Sequence, residues 1–171
     1  GEQFFHVYRK CSAPMRLNDP APAKIACVLK LGAHGDALWA SSVLPHLKDN
    51  GYYVVFYTQD TGYEVLKHDP HIDRMVKFES RVPIEQLGEL FNWIQAKYPN
   101  NYILVECVEG TLLPAPNKMQ YHFTPEMRRL LMDHNYVEMH HLKCGVPMVN
   151  KQHFYPSEEE KKTAEEFRSK L

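Results

Sequence analysis

The sequence predicts a doubly wound α/β fold on a mostly parallel sheet. Two observations carry that prediction. Apolar runs rich in β-branched and aromatic residues alternate with stretches whose apolar residues recur at helical spacing, the order expected of right-handed β-α-β crossovers. The first apolar run, residues 24–31, breaks at Gly32 and Gly35 and resumes at once with Ala37, Leu38, Trp39, Ala40 and Val43. Strand, tight turn and helix therefore follow one another without a linker. A chain of 171 residues that is 44% hydrophobic also has the material for one domain with a real core.

Residues 1–23 form a lead-in arm, with Phe4, Phe5 and Tyr8 early and the breaker cluster Asn18, Asp19, Pro20, Ala21 and Pro22 at its end. The arm is expected to pack on the domain or add an edge strand. Strand one, residues 24–31, leads through the glycine turn to a helix at residues 36–48, with Asp36 as its N-cap and Asp49, Asn50 and Gly51 as its end. Residues 52–58 read as strand two, residues 61–68 as a short helix stopped before Pro70, and residues 72–78 as strand three. Over residues 83–98, Ile84, Leu87, Leu90, Phe91 and Ile94 share one stripe behind Pro83, which predicts an amphipathic helix. A turn at Pro99, Asn100 and Asn101 enters strand four, residues 102–108. Thr124 and Pro125 open a helix running to about Leu142, with a break near Asn135 and an end at Gly145. Ser157 then caps a charged helix, residues 158–170. The main domain is residues 24–150, and residues 151–171 are a linker and helix.

In a Rossmann-like order, strand one lies centrally, strands two and three extend to one side and strand four lies on the other. The switch point then falls between strands one and four. Two turns that carry both glycine and an acid, Gly32 to Asp36 and Glu109-Gly110-Thr111, should face each other across one crevice.

Composition excludes several classes. With 20 basic and 21 acidic residues and a formal charge of -1, nothing argues for a nucleic-acid partner. No run approaches the roughly 20 apolar residues of a membrane span, and the N-terminus lacks a signal-like block, so the expectation is a cytoplasmic chain. Cys11, Cys27, Cys107 and Cys144 show no CxxC spacing, which fits a reducing compartment. The chain opens on Gly1 rather than Met, as a segment of a longer polypeptide would.

The Gly32-Ala33-His34-Gly35-Asp36 turn is neither the dinucleotide fingerprint nor a phosphate loop ending in Gly-Lys-Ser/Thr. Its glycines let another group approach the main chain, and the N–H groups at the start of the helix favour an anion or an acceptor oxygen. Asp36 has two readings, an ordinary helix cap or a general base positioned to take the proton of an attacking sugar hydroxyl. His34 is an acceptor ligand or an exposed loop residue. His134, His140 and His141 lie close along one predicted helix, but no H-E-x-x-H pattern or paired carboxylate completes a metal site, and none is expected. Trp39, Phe91, Trp93 and the aromatics of residues 52–57 are expected in the core.

The run Ile25 to Leu44, with Leu31-Gly32-Ala33-His34-Gly35-Asp36 at its centre, resembles the opening of the ADP-heptose:lipopolysaccharide heptosyltransferases, glycosyltransferase family nine. Further segments are similar in the same order. They are Asp69-Pro70-His71-Ile72-Asp73 before strand three, Tyr102 to Thr111 with Gly110 on the family glycine, and His141 to Val146 followed by Ser157-Glu158-Glu159. Lys30 stands where the family commonly has Arg, His34 is unusual, Glu109 replaces Gln, and residues 113–123 have no clear counterpart.

The resemblance implies the acceptor-side half of a GT-B glycosyltransferase. It implies inverting, metal-independent transfer without a cofactor, from a nucleotide-sugar donor such as ADP-heptose to a glycan or lipopolysaccharide-type glycolipid. Asp36 would be the catalytic base, and Gly32, Ala33, His34, Gly35, Glu109, Gly110 and Thr111 the substrate-binding residues. The donor would be held by a C-terminal domain in the same or a separate chain, and these residues alone would be inactive. Peripheral association with the inner membrane face would follow from a glycolipid acceptor. The alternative is a non-catalytic Rossmann-like module that assembles with a partner chain.

Overall fold

The structure is a computed structural model that describes residues 20–78, 81–104, 124–126 and 135–171. Four parallel strands, β1 (Ile25–Leu29), β2 (Tyr53–Thr58), β3 (Arg74–Lys77) and β4 (Asn100–Ile103), form a sheet in the order β3-β2-β1-β4. This is the order the sequence predicts, and with it the Rossmann-like character of the fold. Val28 lies between Phe56 on one side and Tyr102 on the other, so β1 is hydrogen-bonded along both edges.

Six α-helices lie wholly within the described residues. They are α1 (His34–Ser41), α2 (Leu44–Asp49), α3 (Asp60–Leu66), α4 (Leu87–Lys97), α5 (Tyr136–Cys144) and α6 (Glu158–Arg168). Every residue of β1 is buried, as a central parallel strand requires, and its side chains alternate between two cores. Ile25, Cys27 and Leu29 join Val55, Tyr57, Val76, Leu90 and Ile94 under α4. Ala26 and Val28 join Val54, Phe56, Ala37, Ala40, Leu44, Leu47, Leu66 and Cys144 on the other face, with α1, α2, α3 and α5. Cys27 is thus a buried apolar filler, and burial pushes its thiol far above the ordinary range. The Tyr57 and Tyr98 hydroxyls bond at 2.8 Å in the first core and tie the end of α4 to β2.

Several boundaries differ from the sequence expectation. The single helix expected at residues 36–48 is two, because Pro45 has no N–H for the Ser41 carbonyl and its ring crowds that turn. Ser41 and Ser42 tighten the junction by donating to the Leu38 and Trp39 carbonyls at 2.7 and 2.6 Å. Strand three begins at Arg74 rather than residue 72. Strand four begins at Asn100, whose side chain donates to the Ala23 carbonyl at 2.9 Å and so draws the expected turn into the sheet. Residues 84–86 form a 3₁₀ turn ahead of α4.

The break near Asn135 is real: its side chain accepts from Glu138 N–H at 2.9 Å, Glu138 accepts in return from Asn135 N–H, and α5 starts there. Gly145, at φ +62°, ends it in the left-handed conformation that glycine takes without strain. Ser157 and Glu160 make the same reciprocal cap on α6. Most of the arm, the exit of strand four and residues 127–134 of the expected helix lie outside the described residues.

The Asp69-Pro70-His71-Ile72-Asp73 segment has a structural role. Asp73 Oδ2 accepts from Val54 N–H at 2.7 Å while Asp73 N–H donates to the Val54 carbonyl at 3.0 Å, so this residue registers β3 against β2. Lys48 Nζ adds two contacts, at 2.9 and 2.7 Å. Asp69, buried, accepts from both the backbone and the ring of His71. Asp73→Ala is expected to lower stability by about 1–3 kcal/mol because it strands a strand-end N–H. Lys48→Ala, which breaks only a half-exposed pair, is expected to cost less than about 1 kcal/mol. Urea unfolding of the two variants checks the difference.

Candidate functional site

The ladder closes at the carboxyl end of β1 with Lys30 N–H donating to the Tyr57 carbonyl at 3.1 Å and Leu104 N–H to the Leu29 carbonyl at 2.9 Å. The chain then turns at Gly32, whose φ of +129° is a conformation that residues with a side chain rarely adopt. The missing side chain matters in space as well. A Cβ at Gly32 would lie 2.6 Å from Asp36 Oδ2, so the carboxylate occupies the room that glycine leaves.

Asp36 is held there by Ala33 N–H, which donates to Oδ2 at 2.8 Å. The N-cap is Ala33 and Asp36 is the third residue of α1, which corrects the expectation that Asp36 caps the helix. Alanine has no acceptor to offer, so the cap runs in one direction only, from the third residue back to the cap N–H. The result is a half-buried carboxylate at the positive end of a helix, folded over an exposed turn of Gly32, Ala33, His34 and Gly35.

Helix α3 forms the neighbouring wall. Thr61 Oγ1 donates to the Gly32 carbonyl at 2.5 Å, and His34 Nε2 lies 2.7 Å from Glu64 Oε2. His34 is therefore the exposed first residue of α1 rather than a loop residue. Both partners of its pair are more than half exposed, so the pair fixes orientation more than it stabilises. The structure brings Gly32, Ala33, His34, Gly35 and Asp36 into one turn at the end of the central strand. Glu109, Gly110 and Thr111, expected on the facing turn, lie outside the described residues.

Sequence reasoning passed over the burial of three polar side chains. Lys30 is only 1% exposed, and His140 and His141 on α5 are as deeply buried. His141 Nδ1 donates to the Val137 carbonyl at 2.6 Å. Burial first, and the nearby Lys30 cation second, hold the His140 imidazole down at about 3, with Lys143 and His141 adding to the same effect and the Trp39 carbonyl opposing it. The signal for Lys30 was its place inside an apolar strand, where a lone lysine has no route to solvent. No group of three or more His, Cys, Asp or Glu able to hold a metal ion occurs among the described residues.

Trp39 also departs from expectation. It is 38% exposed and stacks on Tyr136 with ring centroids 5.6 Å apart and planes at 26°. The buried stripe of the helical segment is Ala37, Ala40, Ser41 and Leu44, and that spacing already puts position 39 off the core side. Trp93, by contrast, packs against the core under α4. No helix among the described residues is long and apolar enough to cross a membrane. Comparison with protein-family models, curated proteins and solved structures gives no match to this chain.

Two outcomes follow from this geometry. Gly32→Ala combines a strained φ with a clash on the Asp36 carboxylate, so it is expected to cost about 1–3 kcal/mol in urea unfolding. It should also shift the Ala33 amide proton as its bond to Asp36 lengthens, which an NMR spectrum reads directly. For His140, the lowered folded pKa means that the unfolded chain binds the extra proton between its ordinary value near 6.5 and about 3. Stability is therefore lost as pH falls through that window, and His140→Gln should flatten the loss in unfolding midpoints taken from pH 7 to pH 4.

Proposed function

We propose that this chain is the acceptor-side domain of an inverting, metal-independent glycosyltransferase similar to the heptosyltransferases. The sugar would pass from a nucleotide-sugar donor, held mainly by a C-terminal donor-binding domain of the same or a separate chain, to a glycan or glycolipid acceptor. The observation that carries the reading is the Asp36 carboxylate fixed at 2.8 Å on Ala33 N–H, at the carboxyl end of the central strand. Ligands of doubly wound sheets bind at that end, beside the strand where the order reverses.

In this mechanism the acceptor hydroxyl meets Asp36 as it attacks the anomeric carbon. The carboxylate takes the hydroxyl proton, the bond from oxygen to carbon forms, and the bond to the nucleoside diphosphate breaks with inversion. One carboxylate oxygen, Oδ2, is engaged by Ala33 N–H, which orients the group toward that proton. His34, held on Glu64, and the exposed backbone of Gly32, Ala33 and Gly35 would position the acceptor. Glu109, Gly110 and Thr111, outside the described residues, are the remaining members of the proposed substrate-binding set.

A non-catalytic assembly module is the second reading. It is favoured by the same hydrogen bond, since closing a turn is a sufficient role for Asp36. Substitution separates the two. Asp36→Asn keeps an acceptor for Ala33 N–H and so keeps the turn, but removes the base. Turnover measured on the full natural polypeptide across a panel of nucleotide sugars should fall by about 10²–10⁴-fold. Equal turnover by the variant would reject the base, and no transfer from any donor would favour the assembly module.

A further inference from the structure

We infer that Trp39, backed by Tyr136, is a stacking platform for an uncharged sugar ring seated on Gly35. This deepens the transferase reading of Asp36 and rests on it. Trp39 lies three residues after Asp36 and four after Gly35 on α1, so all three share one side of the helix. Helical side chains lean toward the N-terminus, so a ligand on the exposed indole has the Gly35 side of α1 beside it. That space is open: a Cβ added at Gly35 would meet nothing within 4 Å.

The platform is built from two elements. Tyr136 is the first residue of α5, and the reciprocal Asn135–Glu138 cap fixes the start of that helix. Its ring lies 5.6 Å from the indole at 26°, which orients an exposed tryptophan that would otherwise sample several rotamers. The part of the indole that Tyr136 leaves exposed is apolar surface in contact with water, and covering it is favourable. A pyranose ring has the matching shape and chemistry. Its C–H face packs on an indole, while its rim of hydroxyls reaches hydrogen-bonding groups at the side, for which Asp36, three residues before Trp39 on α1, is the candidate. The Asp36 carboxylate also disfavours an anionic substituent on that ring. The platform spans one ring pair, a footprint that fits a single sugar unit.

The chain carrying Trp93→Phe has Trp39 as its only tryptophan, so its fluorescence reports the platform. It is titrated with methyl hexopyranosides, methyl heptopyranosides and a core oligosaccharide released from lipopolysaccharide. The expected result is a saturable spectral change with at least one of these probes. By calorimetry on the parent chain, Trp39→Ala and Gly35→Leu should each weaken that binding at least about tenfold, with Trp39→Phe recovering much of it. Gly35→Leu fills open space rather than a packed one, so its circular dichroism should match the parent even if Trp39→Ala disturbs α5.

Binding that neither Trp39→Ala nor Gly35→Leu weakens would overturn the platform, as would the absence of binding by every probe. Either result, alongside transfer that depends on Asp36 in the full natural polypeptide, leaves the transferase reading standing. Binding lost in both variants, alongside transfer indifferent to Asp36→Asn, supports the sugar platform and removes the base.

Discussion

The burial of β1 on both faces, with parallel partners along both edges, is the constraint from which the rest of the structure follows. A strand so placed must be apolar throughout, and Ile25–Leu29 is. Its side chains then serve two separate cores, each needing its own helical cover, and the crossovers supply helices to both faces. Where the strand ends, the main chain must leave a crowded position at once. Gly32 makes that exit possible, and the cost of its unusual conformation is offset by the hydrogen bond that Asp36 makes across it.

Much of the architecture was legible in the residues because hydrophobic period and turn chemistry agree there. Alternation and the handedness rule point to a parallel doubly wound sheet, the Rossmann-like order taken for it is the one observed, and the caps at Asn135 and Ser157 are written in their Glu138 and Glu160 partners. What the sequence concealed was of two kinds. Boundaries moved where a side chain competed with the backbone pattern, as Pro45 does inside the expected helix and Asn100 does at the edge of β4. The position of Asp36 was displaced for a different reason. A helix start is usually marked by the capping side chain, and here the cap residue is Ala33, so the carboxylate three positions on was the only visible sign.

The turn itself could be found from its glycines, but its surroundings could not. The pairing of His34 with Glu64 and of Thr61 with Gly32 joins residues about thirty positions apart, a relation that only the packing of α3 beside α1 creates. The deep burial of Lys30 near His140 is likewise a tertiary fact. A lysine in an apolar strand and a histidine in an amphipathic helix each look ordinary alone. Together they set the electrostatics of His140, whose pKa is held down by burial first and by Lys30 second.

The final helix obeys a different economy from the rest of the chain. Gly145 turns the backbone away from α5, and α6 then forms with capped ends but with none of its residues buried. Its tertiary ties include the Lys67–Glu160 contact at 3.7 Å, a surface interaction. A helix of this length is marginal in water without a packed face. Its amides should consequently exchange with deuterium by local fraying, at rates that track peptide-like helicity and ignore changes in global stability, whereas those of Val28 and Phe56 should exchange only when the whole domain opens.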